Sequence, residues 1–196
     1  MNALISHCLS IYTHDTISLI INEMNVNEIK DWLTSRVIDV GWIIPPNEQY
    51  DVIPFYKDEM CLLIRDDHPL QLRSQIGITD LHNEPLILCK GEFDPPVYEL
   101  FQRYDTSLNA AFDLHNVNAA LRMVQEGLGT AIVSRISLSL SILPPNVRIR
   151  PLEPKPVRDI QLAVPLLANA PKAVKLFIQV AQELHTSKPL PTIFNR

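Results

Sequence analysis

Apolar residues recur along this chain with two periods, and the alternation between them orders the predicted elements. Between Ala3 and Tyr12, residues Leu4, Ile5, Cys8, Ile11 and Tyr12 fall on one helical face. Residues 16–22 alternate and are β-branched, which predicts a strand. Asn25 fits the N-cap of a helix running through Arg36, with Val26, Ile29, Trp32 and Leu33 facing inward. The nearly continuous apolar run Val37–Ile44, closed by Pro45 and Pro46, reads as a strand buried in a parallel sheet. Strand, helix and strand in this order form a βαβ unit.

Two further strands are expected at 52–56 and 59–64, followed by a polar break at 65–70. The alternation then resumes: a short helix at 78–82, a strand at 85–89, a helix at 97–104 and a strand at 110–114. A helix at 117–126, a strand at 130–133, a short helix at 135–141 and a strand at 147–152 complete this block. After a second break at 153–156 come a strand at 160–165 and a terminal helix opened by Pro171, whose missing N–H is not needed in a first turn. Val174, Phe177, Ile178, Ala181 and Leu184 form that helix's apolar face. The economical fold is α/β: two Rossmann-like lobes, with the chain crossing out near 66–69 and back near 154–156. Lobe one then comprises 1–66 and 157–196, and lobe two comprises 67–156. Two crossings make a hinge, and a cleft between α/β lobes is a natural small-molecule site.

A net charge of −5 changes this picture in one respect. A chain that grips nucleic acid by itself carries a basic face to neutralise phosphates, and none shows in these totals. The three cysteines, Cys8, Cys61 and Cys89, are widely spaced, form no CxxC pair, and read as reduced, mostly buried thiols. No apolar run approaches the roughly 18 residues needed to cross a membrane, and the opening MNALISHCLS lacks the features of a signal peptide. The expected location is therefore cytoplasmic, with no membrane partner. No GxSxG, GxxxxGK[ST], HExxH or GxGxxG pattern occurs, and no two of the six histidines stand at the spacing of a metal pair. The expectation is a protein that is not an enzyme, with no cofactor and no metal. His68 reads as structural, and Asp39 as a turn or cap residue.

Three segments carry a family resemblance. They are Ile29–Ile44 (IKDWLTSRVIDVGWII), Glu59–Leu70 (EMCLLIRDDHPL) and Val117–Val133, which contains MVQEGLGTAIV. In this order and separation they resemble the effector-binding domain of LysR-type transcriptional regulators, from about Ala3 to Leu184. The resemblance implies a periplasmic-binding-protein type II-like fold that senses a small metabolite and assembles as a homo-oligomer, dimer or tetramer. Members of the family begin with a winged helix-turn-helix, a linker helix and a first strand. None of these precedes the matching residues here, so DNA contact is expected only through that N-terminal domain, and lobe one is expected to lack its first strand.

Ligands in open α/β folds gather at the carboxyl ends of strands and the amino ends of the helices that follow. Applied here, the rule selects Ile43 and Ile44, Lys90 and Gly91, and His115 and Asn116 as the ligand-binding residues. The resemblance supports Ile44 and the His115–Asn116 pair most directly. Asn116 has a second reading as a helix cap, His115 as an exposed loop residue, and Lys90 as a surface lysine. The expected effector is a small acid or polar metabolite, and His115, which titrates near neutral pH, would suit a carboxylate. Two alternatives remain at this point: a stand-alone solute-binding protein, and a truncated remnant that dimerises without sensing. An α/β enzyme would need a cluster of perturbed carboxylates or a metal site.

Overall fold

The computed structural model describes residues 20–21, 26–45, 48–89, 94–114, 116–138 and 141–187. The helix expected at 3–12 lies outside them. So does the strand expected at 16–22, apart from Ile20 and Ile21, which have no regular structure. The elements are α1 (Val26–Thr34), β1 (Gly41–Ile43), β2 (Asp51–Arg65), β3 (Ile76–Gly77), β4 (Leu86–Cys89), α2 (Asp94–Arg103), β5 (Ala110–Leu114), α3 (Val117–Gln125), β6 (Thr130–Ser134), α4 (Arg135–Leu138), β7 (Val147–Glu153), β8 (Val157–Val164) and α5 (Lys172–Ser187). Short 3-10 turns occupy Pro69–Leu72, Ile78–Leu81 and Leu167–Asn169.

The chain divides into two compact units, one up to Tyr56 together with Asp159 onward, the other Lys57–Arg158. Both divisions fall inside strands, within β2 and β8. The polar breaks expected as linkers, at 66–69 and 154–156, lie inside the second unit. The first is a tight turn in which His68 Nδ1 accepts from Leu70 N–H at 3.3 Å, and Nε2 stands 3.2 Å from Glu84. Nor are the strands expected at 52–56 and 59–64 separate. They are one strand, because Lys57, Asp58 and Glu59 continue extended instead of turning.

In the first unit β1 pairs antiparallel with β8, Gly41 opposite Ala163 and Ile43 opposite Gln161. The two-residue period of a strand sends Ile43 to one face, where it packs with Leu33, Ile29 and Ala163 beneath α1. Trp42 goes to the other face, with Leu162, Phe55 and Phe177 beneath α5. Its ring stands 6.2 Å from Phe55 and 6.1 Å from Phe177, tilted and edge-on, the geometry aromatic rings prefer. Two expectations change here. Only 41–43 of the run 37–44 is strand, since Arg36 takes a φ of +55° after α1 and Val37 is exposed. Trp32, expected inside, is 37% exposed, and Leu33 fills the inner face instead.

The second unit holds a mixed sheet in the order β3-β7-β2-β6-β4-β5. Strands β6, β4 and β5 run parallel to one another, and β2 runs antiparallel to both β6 and β7. One face carries Met60, Leu62, Ile64, Leu88 and Ile132 against Val97 and Phe101 of α2. The opposite face carries Cys61, Leu63, Ile87 and Val133 against Ala120, Leu121 and Val124 of α3. A sheet covered on both faces explains why these strands read as continuous apolar runs.

The Gly-Leu-Gly turn joins α3 to β6. Gly127 takes a φ of +76°, the left-handed conformation that ends a helix and that a Cβ resists. Gly129 is required for a different reason, the close approach of a neighbouring chain segment. A Cβ there would lie 2.3 Å from the Pro85 carbonyl oxygen. That carbonyl accepts the Thr130 N–H at 3.0 Å and so registers β6 beside β4. Gly127→Ala is expected to cost about 1–2 kcal/mol, the penalty of the left-handed region. Gly129→Ala is expected to cost about 3 kcal/mol or more, since backbone has to shift. Urea unfolding of both variants checks the order.

Candidate functional site

Because β6, β4 and β5 are neighbours and parallel, their carboxyl ends lie along one edge of the second unit. Ile132 pairs with Leu88, and Cys89 pairs with Leu114. The chain therefore leaves Ser134, Cys89 and Leu114 on the side where helices α4, α2 and α3 begin. Asn116 opens α3: its Oδ1 accepts the N–H groups of Asn118 at 2.8 Å and Ala119 at 3.3 Å. Asn116 is thus the N-cap of α3, and the residue is exposed.

Of the other residues the sequence selects, Lys90, Gly91 and His115 lie outside the described residues. Ile43 is buried among Leu33 and Ala163 of the first unit, so its side chain offers no ligand-facing surface there. Ile44 follows it at the end of β1 and is half-buried. The structure thus joins the ends of β4 and β5 into one edge of the second unit, with Ile43 and Ile44 in the first. The first unit also has a small concavity, about 90 Å³, lined by Arg36, Asp39, Val164, Pro165, Pro171 and Val174. It contains none of the selected residues.

Sequence reasoning missed a buried polar network beside the β6 end. Asp58 is 0% exposed and Arg158 is 5% exposed. Arg158 donates from Nε at 2.8 Å and stands with Nη2 at 2.7 Å, both on Asp58 Oδ2. Ser134 Oγ–H donates to the same oxygen at 2.6 Å, and the Ile136 N–H donates to Oδ1 at 3.2 Å. Ser134 Oγ in turn accepts the Ser137 N–H at 3.3 Å. The next residue, Glu59, pairs instead with Arg135 of α4 at 3.4 Å and with Lys155 at 3.9 Å. A buried carboxylate with four donors is satisfied, whereas the same group without them would cost several kcal/mol. The signal was present as an Asp and an Arg inside apolar strands, but their partners are 100 residues apart.

Cys61 and Cys89 are both buried thiols. Burial pushes the Cys61 thiol from its ordinary 9.0 up to about 12, against a lowering pull from Arg135. The two cysteines lie on β2 and β4 with β6 between, so two strand spacings of roughly 9–10 Å separate their backbones. A disulfide needs Cα atoms within about 7 Å. Among the described residues, no three His, Cys, Asp or Glu side chains group as a metal site would require.

The chain matches the LysR substrate binding domain family over residues 11–185. It is 44% identical, over 86% of its length, to an uncharacterized HTH-type transcriptional regulator of Bacillus subtilis (strain 168), YvbU, of which it covers 58%. It spans about half the length of the curated regulators it matches. Among solved structures it superposes on the CcmR regulatory domain of Synechocystis PCC6803 in complex with 2-PG, with a TM-score of 0.81 and 22% identity. That match covers 96% of this chain and 94% of the other. The effector binding domain of QuiR in complex with shikimate gives 0.82 at 20% identity, over 96% and 91%. These likenesses establish the fold as that of LysR effector-binding domains, which is periplasmic-binding-protein type II-like.

Two outcomes follow from the geometry. Asn116→Ala is expected to lower stability by about 1 kcal/mol and Asn116→Asp to retain the cap, measured by urea unfolding. For Cys61, the raised folded value means the native state resists ionisation. Its contribution is fully present below pH 9 and is lost as pH rises toward about 12. The difference in stability between the parent and Cys61→Ala is expected to change by about 1.4 kcal/mol per pH unit in that window and to be flat below it.

Proposed function

We propose a function from one premise: the chain belongs to the LysR substrate-binding domain family. In this reading it is the effector-sensing part of a transcriptional regulator, and its ligand is a small polar metabolite bearing a carboxylate. The observation that carries the reading is the shared carboxyl edge of β4 and β5, with the Asn116-capped start of α3 beside it. Parallel strand ends and helix amino ends offer N–H donors and positive dipole ends to an anion. Shikimate, the partner of one structural relative, is a hydroxylated carboxylic acid, and only that chemical class is carried over to this chain.

Binding shifts the population of conformations and so resets a regulator; no chemistry is done on the ligand. The regulator assembles as a homo-oligomer, and DNA contact falls to residues outside this chain, in keeping with a net charge of −5. Acting on DNA, it works in the cytoplasm. No helix among the described residues is long and apolar enough to cross a membrane.

A thermal-shift series with small organic acids, shikimate included, tests the reading. An acid present at about 100 times its Kd stabilises by roughly 2.7 kcal/mol, which raises Tm by about 5–10 °C in a chain of this size. The expected result is such a shift for one acid, reduced in His115→Ala and in Asn116→Ser, the latter retaining a capping oxygen. A folded chain that no acid shifts, or variants that keep the whole shift, would contradict it.

A further inference from the structure

Both strands that join the two units pass the Asp58 network as they cross. Asp58 is the second residue of the second unit on β2, and Arg158 is its last residue on β8. Besides their side-chain pair, the crossings share a backbone bond from Met60 N–H to Pro156 C=O at 2.8 Å. The same carboxylate holds Ser134, the last residue of β6, and the Ile136 amide of α4. Ser134 opens the carboxyl edge described above, since β6 lies between β2 and β4.

We propose that Asp58, Arg158 and Ser134 form a crossing clamp. It fixes both crossing strands to the second unit and ties them to the β6–α4 end of its sheet. Three features argue for this. The pair is almost wholly removed from water, so its geometry is enforced by desolvation: neither charge can leave its partner for solvent without opening the strands. The carboxylate is shared among three elements, so displacing any one of them unsatisfies a buried donor. Consecutive acidic residues of β2 also hold different elements, Asp58 on β8 and Glu59 on α4 through Arg135. Any bending of the crossings then occurs before Asp58 or after Arg158, and not inside the second unit. A shift of α4 or the β6 end is felt at both crossings together. The proposal goes beyond the sensing reading and stands without it.

Amide hydrogen exchange on the whole chain tests the clamp. In Asp58→Asn, exchange is expected to accelerate on the order of a hundredfold in three segments together, 58–60, 134–138 and 156–158. The sheet centre at 86–88 and 131–133 and helix α5 should keep the parent rates. Ser134→Ala leaves the ion pair intact and covers the case in which Asp58→Asn fails to fold. It is expected to accelerate 134–138 about tenfold, with 156–158 unchanged. Uniform acceleration over the whole chain in Asp58→Asn, or acceleration confined to 58–60, would overturn the proposal. So would a Ser134→Ala variant in which 134–138 exchanges at the parent rate.

Discussion

The carboxylate of Asp58 has no access to water, and much of the second unit is arranged so that it does not need any. Its two oxygens take hydrogen bonds from Arg158, Ser134 and the Ile136 amide, groups on β8, β6 and the start of α4. A buried charge stripped of its partners costs several kcal/mol, so these elements are held in one relation. Such a pair adds little net stability over well-packed apolar residues. What it adds is position, because an apolar contact tolerates sliding and a four-donor carboxylate does not.

Around that point the apolar packing supplies the bulk of the stabilisation. The strands of the second unit are covered on both faces, by α2 with the 3-10 turns and by α3. Parallel β6, β4 and β5 bring three strand ends to one edge, and the Gly-Leu-Gly turn sets β6 against Pro85 so that this edge is in register. Among the described residues that edge presents the Asn116 cap and backbone groups.

Much of this was legible in the residues. The segment 117–133 announced helix, turn and strand through its periodicity and two glycines, and the structure has all three. The turn at His68 and the terminal helix after Pro171 were equally plain. Other features were hidden for physical reasons. Lys57 and Asp58 look like a break between two strands, because charge inside a strand is rare unless it is paired. The pairing with Arg158 is non-local and leaves no mark in any sequence window. For the same reason the divisions inside β2 and β8 escaped notice, while the polar turns at 66–69 and 154–156 attracted it. Helical spacing alone puts Trp32 on the inner face of α1, whereas the packing there is made by Ile29 and Leu33. Of the candidate site, Asn116 was readable both as a cap and as a ligand residue, and its cap bonds are now explicit.

The central claim, that Asp58 and Arg158 act as one unit, is tested most directly by a double-mutant cycle on unfolding free energy. Asp58→Asn and Arg158→Met are measured singly and together. Each single change removes one side of the buried ion pair and is expected to cost about 3–5 kcal/mol. The double variant is expected to cost far less than the sum, with a coupling of roughly 3 kcal/mol. Additive losses would contradict the account, because they would mean the two side chains stabilise the fold independently.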